Sequence, residues 1–209
     1  MNAIIALEGQ IGAGKTTLGQ KLSERLKLPF HAELSSEHTT RLLERFYSDK
    51  SRWAFTMQAH FIVRRAAMLQ SLPASEGGIL DRSLAGDRVF AEVLHEDGFL
   101  GDEEFFTYRE LFDILFRSVQ QPDLMIFLDC SVDVALERIR RRNRTAEAGI
   151  PRAYLAHIDR RYREWFSSYD SSPKLAIPVD SFAITDPAAL EALAIRIEAA
   201  LEQESVKNA

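Results

Sequence analysis

Short apolar runs and longer stretches of three-and-four spacing alternate along the 209 residues. Residues 3–7 form an unbroken apolar run of strand length, and 17–28 then set Leu18, Leu22 and Leu26 at helical spacing until Pro29 ends the stretch. A short strand is predicted over 29–34, ending in the carboxylate of Glu33. Helices follow over 39–47 and 53–72, the second capped by Ser51. Phe55, Ala59, Ile62, Ala66 and Leu69 line one side of that long helix, and Gln58 and Arg65, seven apart, share a face from which both can reach one ligand. Gly77 and Gly78 turn into a third strand that runs out into Asp81, Arg82 and Ser83, with Asp87 six residues past Asp81. Asp102 and Glu103 open a helix to about residue 119, and 124–128 reads as the strand before Asp129. A helix from Val132 leads into an arginine run; a return helix over 151–169, a strand over 174–179 and an amphipathic helix over 186–201 complete the pattern, and 202–209 is expected to fray. Strands alternating with helices, without internal repeats, predict one α/β domain over 1–209: three layers, with a central parallel sheet of about five strands flanked by helices.

The turn after the first strand carries the chemistry. Gly9-Gln10-Ile11-Gly12-Ala13-Gly14-Lys15-Thr16-Thr17 has the spacing GxxxxGK[ST] between a strand and a helix, the context of a phosphate-binding P-loop. Its glycines let the backbone aim N–H groups inward, and the following helix presents its positive end to the same point. Lys15 is expected to reach the β/γ-phosphates, and the Thr16 hydroxyl to ligate Mg²⁺. Ligands of a parallel sheet bind beyond the carboxyl ends of its strands, which turns Glu33 and Asp81 toward this loop. Asp129 also stands at a strand end, so two acids remain open for the Mg²⁺ role. Arg138, Arg140, Arg141, Arg142 and Arg144 crowd into seven positions, and predict a lid over about 138–150 whose guanidinium groups clamp phosphoryl oxygens.

Composition narrows the function class. The net charge of −5 argues against a general binder of nucleic acid or of anionic membranes. Cys130 is the one cysteine, which permits no intrachain disulfide and fits a reducing compartment. The five histidines are scattered without zinc-binding spacing, and neither an export signal nor a run of membrane-spanning length is found. The expectation is a cytoplasmic protein. A GTPase switch would need a base-reading Asn-Lys-x-Asp element, which is absent, and a motor ATPase far more chain, so a small kinase fits best.

These residues resemble the deoxynucleoside kinases, nearest to their bacterial deoxyadenosine/deoxyguanosine kinase branch. The resemblance is carried by the loop from Glu8 to Thr17, by Asp81-Arg82-Ser83 with Asp87, and by the arginine run followed by Glu147-Ala148-Gly149-Ile150-Pro151, in order from about Ile4 to Trp165. It implies the P-loop kinase fold, Mg²⁺, ATP or GTP as donor, and transfer of the γ-phosphoryl group to the 5′-hydroxyl of a deoxynucleoside in nucleotide salvage. Glu33 matches the acid that takes the 5′-hydroxyl proton, Asp81 the acid near Mg²⁺, and Arg82 the arginine beside the 5′-oxygen and the transferring phosphate. Gln58 and Asp87, with Arg65 beside it, match base-contacting positions. Tyr47 and Glu147 match the pair on the sugar 3′-hydroxyl, and Arg138, Arg142 and Arg144 the lid arginines. A homodimer through the long apolar helices is also implied. Leu34 follows Glu33 where members often have Pro, and His38 stands where several have Trp, which keeps Glu37 open as an alternative acid.

Gln58 offers a donor and an acceptor to a base edge, whereas an ionised Asp87 only accepts. Thymine would set its O4 acceptor against that carboxylate, so deoxyadenosine, deoxyguanosine or deoxycytidine is expected to be preferred over thymidine. Two alternatives carry different consequences. A nucleoside monophosphate kinase of the thymidylate kinase type needs cationic groups at the acceptor in place of a general-base carboxylate, and a non-catalytic nucleotide-binding subunit needs none of these acids.

Overall fold

A computed structural model of the chain describes residues 2–32, 36–73, 76–142 and 149–207. Their elements follow in the order β1 (Ile4–Glu8), α1 (Lys15–Leu26), β2 (Phe30–His31), α2 (Glu37–Ser48), α3 (Lys50–Ser71), β3 (Gly78–Asp81), α4 (Leu84–Glu96), α5 (Asp102–Arg117), β4 (Leu124–Asp129), α6 (Val132–Arg142), α7 (Arg152–Ser168), β5 (Lys174–Pro178) and α8 (Pro187–Lys207). The five strands pair in the order β2-β3-β1-β4-β5, all parallel. β1 is central, with Leu7 opposite Asp81 of β3 and Ile126 of β4.

Both faces of the sheet are covered, which is why its inner strands read as continuous apolar runs rather than alternating ones. Ile4 and Ala6 point to the face packed by α3, α4, α5 and α7, where Met57, Ile62, Leu94, Tyr108 and Ile158 are buried. Ile5 and Leu7 point to the other face, against Leu18 and Leu22 of α1 and Leu193 and Ile197 of α8. Fully burying one such side chain contributes about 1.5–3 kcal/mol. This is the three-layer α/β architecture that the alternating pattern predicts. Among the described residues no helix is long and apolar enough to cross a membrane.

Several boundaries differ from expectation. α3 starts at Lys50, and its cap is Asp49, whose Oδ1 accepts from the Arg52 amide at 3.1 Å; Ser51 lies inside the first turn. α8 continues to Lys207 rather than fraying after Leu201. The predicted lid begins as helix, because residues 138–142 are the last turns of α6. α4 has no counterpart among the predicted elements; eight of its thirteen residues are buried, and its polar face is the narrow stripe of Arg88, Glu92, His95 and Glu96. The end of α7 is tied down by Lys174, whose Nζ donates to the carbonyls of Phe166, Ser167 and Tyr169 at 2.8, 2.9 and 2.7 Å.

Candidate active site

The order β2-β3-β1-β4-β5 opens a crevice beyond the carboxyl ends of β1 and its neighbours, and the site is built there. After Glu8 the chain turns through residues 9–14 into α1. Gly12, at φ +84°, has no room for a side chain, since a Cβ would lie 2.6 Å from the Ala135 carbonyl oxygen. The loop is fastened through its carbonyls. Lys15 Nζ donates to Gly9 and Gln10, each at 3.0 Å, and Arg138 Nη1 to Ala13 at 2.8 Å. The Gln10 side chain donates to the Cys130 carbonyl at 2.6 Å, and burial pushes the neighbouring Cys130 thiol up to about 11. Ile11 is half-buried, and Thr17 is exposed on the first turn of α1. No side chain caps α1 at Gly14, which leaves that helix start suited to an anion.

At the end of β3, Asp81 faces the same point. Its Oδ2 accepts from the Thr16 hydroxyl at 2.5 Å, while its Oδ1 is buried with no hydrogen-bond partner among the described residues. Asp129 turns elsewhere, accepting from Arg163 Nη2 of α7 at 2.5 Å. Among the described residues no three His, Cys, Asp or Glu side chains gather as a metal cage. One carboxylate and one hydroxyl beside a phosphate loop is the donor set that suits Mg²⁺, which dehydrates reluctantly and keeps several waters.

The chain leaves Asp81 through Arg82, whose φ of 81° lies in the left-handed region and costs about 1–3 kcal/mol outside glycine. Surrounding bonds hold this turn. The Arg82 amide donates to the Leu7 carbonyl at 3.0 Å, and Arg65 Nη1 reaches the carbonyls of Asp81 and Arg82 at 3.3 and 3.4 Å. Arg65 also grips Asp87 with two donors, and Gln58, one face of α3 with it, is buried as well. A deoxynucleoside kinase family model matches residues 5–201 of this sequence.

The chain belongs to the deoxynucleoside kinase family. The deoxyadenosine kinase of Dictyostelium discoideum is 38% identical over 162 residues, which cover 77% of this chain and 65% of that protein. The deoxyadenosine/deoxycytidine kinase of Bacillus subtilis is 28% identical over 211 residues, covering 99% and 96%. Among solved structures, a deoxyadenosine kinase from M. mycoides with bound dATP superimposes with a TM-score of 0.83 at 24% identity, covering 94% of this chain and 100% of that one. At that identity the likeness concerns the fold.

Among the described residues Thr16 meets Asp81, and Arg65 joins Asp81, Arg82 and Asp87 by direct contacts, while Lys15 and Arg82 both donate to the Gly9 carbonyl. Glu33, Arg144 and Glu147, which the resemblance to the kinase family singled out, lie outside the described residues. Tyr47 is half-buried on α2, Arg138 is docked on the phosphate loop, and Arg142 is exposed at the end of α6. Glu37 is 86% exposed at its side chain and paired with Arg41 on the same helix, turned to solvent. Two residues in the site were not singled out for a role. Glu8 ends β1 fully buried, and Tyr162 of α7 meets it. Burial pushes the Glu8 carboxyl up, opposed by Arg82 and Ser83, and pushes the Tyr162 hydroxyl well up. The contact spans 154 positions, so no local spacing signals it.

Proposed function

We propose that this protein transfers the γ-phosphoryl group of a nucleoside triphosphate, ATP or GTP, to the 5′-hydroxyl of a deoxynucleoside, with deoxyadenosine, deoxyguanosine or deoxycytidine preferred over thymidine. The reading rests on membership of the deoxynucleoside kinase family and on one observation: the Thr16 hydroxyl of the phosphate loop bonded to Asp81 at 2.5 Å, one residue before Arg82. Donor and acceptor halves of a phosphotransfer site meet at that bond.

Each residue has a chemical task in this reading. Residues 9–17, with Arg138, Arg142 and Arg144, bind the donor. Lys15 and Arg82 offset charge on the transferring oxygens, where preorganised cations act with little reorganisation. Glu33 accepts the proton of the 5′-hydroxyl, which is a poor nucleophile unaided. Thr16 and Asp81 would hold Mg²⁺, which would supply charge neutralisation to the phosphates. Tyr47 and Glu147 orient the sugar, while Gln58 and Asp87, with Arg65 behind it, address the base.

Two further assignments belong to the same reading. The protein acts as a homodimer, supported by Val63, Phe106 and Ile114, large apolar side chains 50–60% exposed on the neighbouring helices α3 and α5. It works in the cytoplasm, supported by its lone cysteine. The activity is tested with deoxynucleosides and deoxynucleoside monophosphates offered in parallel at equal concentration with ATP and Mg²⁺. Turnover of deoxynucleosides is expected; turnover only of the monophosphates, or of neither, overturns the reading.

A further inference from the structure

A buried carboxylate is costly unless donors satisfy it, and Glu8 is fully buried at the end of the central strand. Its Oε1 accepts from the Ser83 amide at 2.6 Å and from the Ser83 hydroxyl at 2.7 Å. Its Oε2 accepts from the Tyr162 hydroxyl at 3.0 Å and lies 4.0 Å from Arg82 Nη1. Gly86 makes the space, because a Cβ there would sit 2.2 Å from Oε1. The carboxylate therefore rests against the first turn of α4, at the positive end of that helix.

The Tyr162 oxygen is shared. Arg82 Nη1 donates to it at 2.7 Å, and the same nitrogen donates to the Gly9 carbonyl at 3.1 Å. The Arg82 guanidinium also lies over the Phe90 ring, 4.7 Å from its centre, and Phe90 meets Tyr162 edge to face. A chain of bonds thus runs from Ser83 through Glu8 and Tyr162 to Arg82 and the phosphate loop. Packing alone does not need it: buried ionic groups are often replaceable by apolar ones of equal volume without loss of stability. What an apolar set could not do is fix a guanidinium in direction.

We propose that Glu8 and Tyr162 are positioning residues that hold the Arg82 guanidinium in register with the phosphate loop. The proposal rests on the phosphotransfer role given to Arg82 above. It adds two residues from β1 and α7 to the machinery of the site, neither of which is expected to touch substrate.

Tyr162→Phe removes the hydroxyl and keeps the ring that packs on Phe127, Phe90 and Trp165. Losing a hydrogen bond to a charged group at the transferring centre is expected to lower kcat about tenfold or more, with the KM values for both substrates within about twofold. Glu8→Gln should act in the same direction, and the double variant should lose little more than the larger single loss, because the two serve one relay. A direct readout is the side-chain ¹⁵N signal of Arg82. It should be protected from solvent exchange in the native protein and lose that protection in Tyr162→Phe. Unchanged kcat, or an activity loss matched by loss of folded protein with the Arg82 signal unaltered, overturns the proposal. If the native protein phosphorylates no deoxynucleoside, the functional reading fails, and the Arg82 signal still decides the relay by itself.

Discussion

Arg65 holds Asp87 in a two-pronged grip, Nε to Oδ2 at 2.6 Å and Nη2 to Oδ1 at 3.1 Å, and both side chains are almost wholly buried. Its third nitrogen faces the carbonyls of Asp81 and Arg82. The pair that addresses the base in our reading is therefore also the brace beneath the turn at Asp81 and Arg82. Arg65→Met should deprive the buried Asp87 carboxylate of both prongs of this grip and cost about 3–5 kcal/mol in urea unfolding. Arg65→Lys should recover only part of this, since an ammonium cannot form the fork; equal stability of both variants with the native protein would refute the brace.

Base choice should respond to Asp87. Asp87→Asn keeps one oxygen for Arg65, gives up the other prong of the grip, and adds an N–H₂ that can meet the O4 acceptor of thymine. The thymidine-to-deoxyadenosine ratio of kcat/KM is expected to rise about tenfold, equivalent to about 1.4 kcal/mol. A ratio unmoved by this substitution would take Asp87 out of base reading.

Thr16 and Asp81 should behave as one unit. Thr16→Val and Asp81→Asn are each expected to lower kcat about a hundredfold, and the double variant much less than their product. Raising the Mg²⁺ concentration should partly restore the single variants, and a titration of rate against Mg²⁺ measures it. Fully multiplicative losses would separate the two residues.

Glu8 gives a pH signature in stability. Burial raises its carboxyl above the ordinary 4.5, so the folded state holds that proton more tightly than the unfolded chain does. Its favourable contribution is complete below 4.5 and is lost as pH rises through the raised folded value. The melting temperature of the native protein should accordingly fall relative to Glu8→Gln across that interval, then run parallel to it. A difference independent of pH would mean that Glu8 titrates alike in both states.

The exposed apolar side chains of α3 and α5 predict an assembly effect. Phe106→Glu and Val63→Glu should shift the sedimentation coefficient from dimer to monomer without changing the far-ultraviolet circular dichroism. A native protein that sediments as a monomer would refute the dimer.

The strands and the phosphate loop were legible because each leaves a local mark: an apolar run at 3–7, then glycines, Lys15 and Thr16 in fixed order. Asp81 stood out as an acid at a strand end for the same reason. α4 escaped because its first turn holds Gly86 and Asp87, neither a strong helix former, and its polar stripe of Arg88, Glu92, His95 and Glu96 is narrow beside eight buried residues. Strand position alone left Asp81 and Asp129 equal, since both end strands, and only the family resemblance pointed to Asp81; in the fold Thr16 meets the first and Arg163 the second. Arg65 and Asp87 could be paired by resemblance, but their second task beneath Arg82 follows only from how α3 crosses the end of β3.

Asp81, Arg82 and Ser83 are three consecutive residues addressed to three separate elements: Thr16 on α1, Tyr162 on α7 and Glu8 on β1. The left-handed step at Arg82 is what fans them apart. Adding or deleting one residue here would deliver every side chain to the wrong recipient at once. The length of this turn, more than the composition of any helix around it, is the dimension of the molecule least open to change.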